Sequence, residues 1–382
     1  MRFIHTADWH LGRLLNGIRL TEDQAHVLGQ LVDIARQARA DALVLAGDIY
    51  DRAVPPPEAV ELLNDTLNRL ILDLRLPVIA IAGNHDSPQR VEFAARLLRP
   101  QGLHIFGAPG RPAGLVSVND AHGPVDFHAV PYAEPAVVRQ VYADEDVVDH
   151  QTAMDRCCRE IRERQASGRR SVLVGHAFVS GGSASESERP LTVGGTGTIA
   201  AHTFAGFDYI ALGHLHAPQQ VEQNHVRYSG SLLKYSISEA AHQKGVLVVD
   251  MDAAGRCVVE TVALRPRRDL RIVRGHMEQI LSGATSDASR DDYIHAILED
   301  EGALLDPVGR IREVYPNLIG LNYAREFAPA SGVPQRMDHR GRSESDLFAE
   351  FFRQVTGSDI GQAEQAEFDV AVEEVRRGER EE

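Results

Sequence analysis

The sequence predicts an α/β fold: strands of a largely parallel sheet covered by helices, with a second, more antiparallel sheet beside it. Three observations carry this. Short apolar, β-branched runs alternate with amphipathic helical stretches up to about Leu264. Several of those runs end in Gly followed by Asp, Asn or His, side chains that are costly to bury without a partner. Segments such as DFHAVPY and HVRYSG read as further short strands outside that alternation.

In chain order, RFIHTADWH opens with a strand, and TEDQAHVLGQLVDIARQARA is helical, with Val27, Leu28, Leu31, Ile34 and Ala35 on one face. DALVLAGD is a strand. PEAVELLNDTLNRLILDL is a helix, preceded by Pro55 and Pro56 and opening on Pro57. PVIAIAGNHD is too short and too β-branched for a helix and reads as a buried strand. PQRVEFAARLLRP reads as one helix closed by Pro100, and SVLVGH, DYIALGHLH and KGVLVVDMD as strands. Character changes at RPRRDLRIVRGHMEQI, where Arg265, Arg267, Arg268, Arg271 and Arg274 precede a compact stretch. The expected division is therefore 1–270, a small α+β capping unit over 271–335, and a helical tail over 343–382 behind a Gly/Pro/Ser-containing linker. In the tail, Leu347, Phe348, Phe351, Phe352 and Val355 form one helical stripe, and Phe368, Val372 and Val375 another.

Composition bounds the function. The 382 residues are 43% hydrophobic and 25% charged, ordinary for a globular protein. No stretch approaches the ~20 apolar residues that span a bilayer, and MRFIHTADWH lacks a secretory apolar core. Cys157 and Cys158 are adjacent and Cys257 is remote, which fits neither a disulfide framework nor a zinc knuckle and points to a cytoplasmic setting. The net charge of −15 argues against a simple electrostatic DNA binder. Twelve acids against four arginines in residues 343–382 account for about half of it.

The chemistry sits at the strand ends. ADWH supplies Asp8 and His10, ALVLAGD supplies Asp48, VIAIAGNHD supplies Asn84 and His85, SVLVGH supplies His176, and YIALGHLH supplies His214 and His216. A lone buried His is more often a core residue than a ligand, but five such ends in one chain point to one shared edge. Carboxylate, amide oxygen and imidazole without thiolate favour Mn, Fe or Zn. Seven candidate ligands exceed one tetrahedral ion and suit two ions sharing a carboxylate, for which Asp48 is the natural bridge. His85 stands beside ligand Asn84, placed to protonate a leaving oxygen, and Asp86 either supports it or closes the turn.

In order, DWH, GDIYD, GNHD, GH and GHLH resemble the calcineurin-like metallophosphoesterase superfamily, whose two-sheet sandwich is the fold so implied. SESERPLTVGG, FDYIALGHLHAPQ, VRYSGSLLKYSISEAAHQKGVLVVD and the tail SDLFAEFFRQVTG are similar to the SbcD family of bacterial break-repair nucleases. That resemblance implies one ion on Asp8, His10, Asp48 and His216, the other on Asp48, Asn84, His176 and His214, with His85 catalytic and manganese the favoured metal. It also implies exonuclease action on double-strand ends, endonuclease action on single strands or hairpins, a homodimer, an SbcC ATPase partner bound by the tail, and a nucleoid-associated location. Archaeal relatives carry a histidine where this chain has Asp51, so Asp51 is read as orienting His85 instead. The competing readings are a cytoplasmic small-molecule phosphodiesterase or phosphoprotein phosphatase, and a non-catalytic scaffold, which would have no need for the intact ligand set.

Overall fold

Two six-stranded sheets stack face to face in the computed structural model, which describes residues 1–191, 197–301, 304–324, 345–346, 348–349, 352–353 and 359–381. The first sheet runs, in space, Cys257–Ala263, Gly245–Met251, Arg2–Thr6, Ala42–Ala46, Val78–Ile81, Leu103–Phe106. Its last four strands are parallel, and Gly245–Met251 is antiparallel to Arg2–Thr6. The second runs Gln219–Val221, Gln223–Tyr228, Tyr209–Gly213, Arg170–His176, Gly123–Val130, Gly114–Asp120, with four parallel central strands and antiparallel edges. DFHAVPY and HVRYSG do join this second sheet, but so do SVLVGH and YIALGHLH, and its centre is parallel. An apolar run records that a strand is buried on both faces, not which strands it pairs with.

Burial on both faces follows from the layering. Phe3, Val44, Ile79 and Ile81 of the first sheet meet Phe127, Val172, Val174 and Tyr209 of the second in the middle of the sandwich. Phe3 packs edge-on against Phe127 and Tyr209 with ring centres 5.5 Å apart in both cases. Burying each such side chain contributes roughly 1.5–3 kcal/mol. The alternate residues Ile4, Leu43, Leu45 and Val78 lie under helices Thr21–Ala38 and Pro57–Asn68. On the far side, Leu173, Ile210 and Leu212 lie under Pro135–Tyr142 and His150–Arg164.

Two helices differ from expectation. Pro57–Asn68 passes into a π-helical turn over Arg69–Asp73. The segment read as one helix from Pro88 is two short ones, Pro88–Val91 and Ala95–Leu98, because Ala94 adopts the left-handed conformation with φ 59°. Apolar spacing is continuous across this break, so periodicity does not reveal it.

Beyond the sandwich, Leu270–Gly275, Tyr293–Leu298 and Leu318–Tyr323 form a parallel three-stranded sheet with helices Met277–Gly283 and Pro307–Val314 between its strands. The α+β unit expected there is thus built as alternating strand and helix around Met277, Ile294, Ala296, Leu298 and Ile311. Tyr293 donates to the buried Asp23 at 2.8 Å, and the Asn16 amide donates to the Ile319 carbonyl at 2.8 Å, joining it to the sandwich. Four of the arginines at this boundary form ion pairs within the chain: Arg267 with Glu22, Arg268 with Asp23 at 3.8 Å, Arg271 with Asp292 at 2.5 Å, Arg274 with Glu299 at 2.7 Å.

In the tail, Gln362–Glu381 is helical, and the Phe348 ring stacks on Phe368 with centres 3.8 Å apart. Leu347, Phe351 and Val355 lie outside the described residues. Among the described residues, no helix is long and apolar enough to cross a membrane.

Candidate metal centre

The candidate residues come from both sheets. Asp8 and His10 follow strand Arg2–Thr6, Asp48 follows Ala42–Ala46, and Asn84 and His85 follow Val78–Ile81. His176 ends Arg170–His176, and His214 and His216 follow Tyr209–Gly213. The sheets meet at their carboxyl edges, where the His176 Nδ1 lies 2.9 Å from the Ala46 carbonyl. Two glycines make this approach possible. A Cβ on Gly47 (φ +91°) would lie 2.3 Å from His176 Nδ1, and one on Gly213 would lie 1.9 Å from the Ala46 oxygen.

Asp48 is central. Its Oδ2 is 3.6 Å from His10 Nε2 and 3.4 Å from His176 Nε2, and its Oδ1 accepts the His85 backbone N–H at 2.9 Å. Asp8 accepts the His214 backbone N–H at 3.0 Å. Ligand atoms of Asp8, His10 and His216 lie within 4.8 Å of one another, as do those of Asp8, Asp48 and His176. His214 lies outside these groups, its ring 5.4 Å from that of His176. A third group joins His10, Asp51 and His85.

The donor set fits divalent cations on geometric grounds. His176 Nδ1 faces a carbonyl and so carries the hydrogen, which leaves its Nε2 lone pair 2.9 Å from Asn84 Oδ1, another acceptor. The Nε2 atoms of His10 and His216 lie 3.0 Å apart, an arrangement that a hydrogen on one ring or a cation between them would satisfy. Acceptors pressed together in this way are stable when a cation, or a proton, lies between them. Electrostatics agrees. Burial, reinforced by Asp48, drives the Asp8 carboxyl well above the usual range. Burial opposes ionisation of Asp48 too, but His176 and His10 hold it well below that range. Burial lowers His10, and lowers His214 to about 3 with help from His176. Burial opposes a charge on His176, but Asp48, Asp8 and the Ala46 carbonyl together raise it to about 9. The place that draws a proton to His176 is the place a cation would share.

The remaining predicted residues divide by role. The Asp86 carboxylate accepts the N–H groups of Ile49, Tyr50 and Gly83 at 3.0, 2.9 and 2.9 Å, tying the Asp48 loop to the Asn84 loop. His85 Nδ1 donates to the Asp51 main-chain carbonyl at 2.7 Å, so the contact to His85 does not use the Asp51 carboxylate. That carboxylate pairs with Arg13 at 2.8 Å and lies 3.8 Å from His10 Nδ1.

Sequence reasoning missed Gln24, whose amide donates to the Trp9 and His10 carbonyls at 3.1 and 2.8 Å, and Tyr235, whose hydroxyl donates to the Trp9 carbonyl at 2.5 Å. It also missed Ser187, Glu188, Glu239 and Lys244 behind His216. They lie in polar loops whose burial no local pattern announces.

A two-sheet sandwich with this cluster at its joined edges is the arrangement of a metal-dependent phosphoesterase. Residues 1–218 match the Calcineurin-like phosphoesterase family, and residues 266–356 match a family described as the Type 5 capsule protein repressor C-terminal domain. The SbcD component of the SbcCD nuclease from Staphylococcus epidermidis is 33% identical over 324 residues, 84% of this chain and 85% of that protein. The solved structures of TT1561 from Thermus thermophilus and of a dimetal phosphatase from Danio rerio are 13% and 14% identical, each with a TM-score of 0.41. They cover 69% and 70% of this chain and 99% and 97% of theirs. The chain belongs to the calcineurin-like phosphoesterases and, within them, to the SbcD nuclease family. It is a metal-dependent phosphodiesterase of the nuclease type.

Proposed function

We propose that the chain hydrolyses DNA phosphodiesters, as an exonuclease on double-strand ends and an endonuclease on single strands and hairpins, in a complex with an SbcC-type ATPase. The observation that carries the reading is Asp48, buried between His10 and His176 where the edges of two sheets meet. One divalent ion would be held by Asp8, His10, Asp48 and His216 and another by Asp48, Asn84, His176 and His214, with manganese the preferred metal. Such ions supply a nucleophilic water near neutral pH and offset the charge that develops on phosphate oxygens.

The chain's own residues do the rest. The Asp51 carbonyl can only accept, so His85 Nδ1 carries a hydrogen in either charge state. The proton given to the departing sugar oxygen therefore comes from Nε2, a contribution of typically ~10²–10⁴-fold. Asp86 holds His85 and Asp48 in register through the three N–H groups it accepts.

The domain roles follow the same reading: 1–270 catalytic, 271–335 capping the DNA, 343–382 bound to the ATPase. Phe93 (81% exposed) and Leu97 (79% exposed), just before and within the helix Ala95–Leu98, are where a second copy would pack. Light scattering at micromolar concentration should give a dimer, and a strictly monomeric mass refutes that part. The central test incubates the full chain with Mn²⁺ and end-labelled duplex, with cyclic-nucleotide and p-nitrophenyl esters in parallel. Cleavage of duplex ends supports the reading. Turnover of cyclic nucleotide with no cleavage of DNA replaces it with the small-molecule one. Deleting residues 343–382 should abolish co-purification with SbcC while sparing manganese-dependent cleavage of short single strands. Undiminished SbcC binding by the truncated chain ends the docking role of the tail.

A further inference from the structure

Behind His216 runs a line of buried polar side chains that the reading above does not use. His216 Nδ1 lies 2.6 Å from the Ser187 hydroxyl, which also contacts Glu239 Oε1. Lys244 Nζ donates to Glu239 Oε2 at 2.5 Å, to Ser231 Oγ at 2.9 Å and to the His216 carbonyl at 2.7 Å. Glu239 is 0% and Lys244 6% exposed. A carboxylate and an ammonium buried together rarely add net stability over apolar residues of the same shape. What they add here is direction.

The hydrogens along this line have only one consistent order. An ammonium has only hydrogens to give, so Lys244 donates to Glu239. The Ser187 hydroxyl then gives its single hydrogen to the other carboxylate oxygen, and a Ser187 lone pair is left to accept from His216 Nδ1–H. That fixes the tautomer: His216 Nε2 keeps its lone pair and presents it toward His10 Nε2, 3.0 Å away. The main chain is held from the same loop, since the His216 N–H donates to Glu188 at 2.7 Å. His10 is the counter-example, a ring of equal burial whose Nδ1 has no hydrogen-bond partner.

We propose that Glu239, acting through Ser187 and balanced by Lys244, is the positioning residue that holds His216 as an Nε2 ligand of one of the two metal ions. The inference rests on the assignment of His216 as a ligand. The experiment is calorimetric titration of the full-length chain with Mn²⁺, together with the visible absorption of its Co²⁺ form, for Ser187→Ala, Glu239→Gln and the double variant. Each single change should weaken one of the two binding events about 10–100-fold and leave the other unchanged. Ser187→Ala leaves the direct approach of His216 Nδ1 to Glu239 Oε1 at 3.4 Å, so Glu239→Gln should weaken binding at least as much as Ser187→Ala, and the double variant no more than Glu239→Gln. The Co²⁺ spectrum should change in the same variants.

A packing role predicts something else: both events weaken together as the melting temperature falls, and that result overturns the proposal. Unaltered titrations of both single variants also overturn it. If Glu239→Gln does not fold, Ser187→Ala decides alone, since it removes one oxygen. His216→Ala separates the two layers of inference. If that variant binds two ions as tightly as the unchanged chain, the ligand assignment itself is wrong.

Discussion

The sandwich and the small unit at Leu270–Tyr323 share a construction, parallel strands alternating with helices, yet their strand ends differ completely. In the sandwich, Asp8 (φ 53°), His10 (φ 45°), Asp48 (φ 48°) and His214 (φ 106°) all leave their strands with positive φ. Each such residue costs on the order of 1–3 kcal/mol, and such strain persists where the surroundings over-determine it, characteristically at functional sites. In the small unit, the described strands end without a non-glycine residue of this kind. The acid after Tyr293–Leu298, Glu299, is 39% exposed and simply pairs with Arg274. Both units bury an ordinary apolar core, so packing does not demand the strained ends. Strain gathered at one edge, together with buried like charges, marks the place where a ligand contributes to stability.

The largest expected effect tests that edge. Asp48→Ala should reduce phosphodiesterase activity to background and bring the metal content from two ions to none by elemental analysis. Two ions retained would remove Asp48 from the shared position and leave its positive φ without this explanation. His85→Ala comes next, with a loss of about 10²–10⁴ in rate and full metal content. A p-nitrophenyl ester, whose leaving group needs little protonation, should be partly spared. Equal losses on p-nitrophenyl and deoxynucleotide esters would make His85 a positioning residue.

The small unit should respond in the opposite way. Leu298 is 0% exposed at its centre, and Leu298→Ala should cost about 2–5 kcal/mol of stability by denaturant unfolding. Hydrolysis of a p-nitrophenyl ester by the sandwich should survive it. If that hydrolysis fails along with the fold of the small unit, the two regions are not separable in the way their strand ends suggest.

Much of this contrast was legible in the sequence, for a definite reason. A strand that ends in Gly and then His or Asp places a costly side chain at a predictable location, so GNHD and GHLH announce themselves without knowledge of the fold. Which sheet a strand joins is not written locally: SVLVGH and ALVLAGD look alike, yet they sit in different sheets whose edges meet only through tertiary packing. Ser187, Glu239 and Lys244 lie in stretches singled out only for their resemblance to a family, and their role went unread for a related reason. SESERP and SISEAAHQKG have the composition of solvated loops, and only burial turns their polar residues into a line directed at His216. Asp51 was half legible, its place beside His85 foreseen but its use of the main-chain carbonyl not, because spacing does not distinguish side chain from backbone.

The smallest effect separates strain with a purpose from strain without one. Ala94 also sits at positive φ, where it divides Pro88–Val91 from Ala95–Leu98, and it touches none of the candidate ligands by hydrogen bond or ring contact among the described residues. Glycine adopts that conformation freely, whereas an L residue with a Cβ does so at a cost. Ala94→Gly should therefore stabilise the chain by about 1 kcal/mol, after the added freedom of the unfolded state is set against the relief. The melting temperature should rise by about 2 °C, with metal binding and hydrolysis unchanged. Asp48→Gly relieves the same kind of backbone strain but removes the carboxylate proposed to be shared by the two ions, so it should abolish metal binding. If Ala94→Gly lowers stability, the break at Ala94 is held by contacts worth more than its strain.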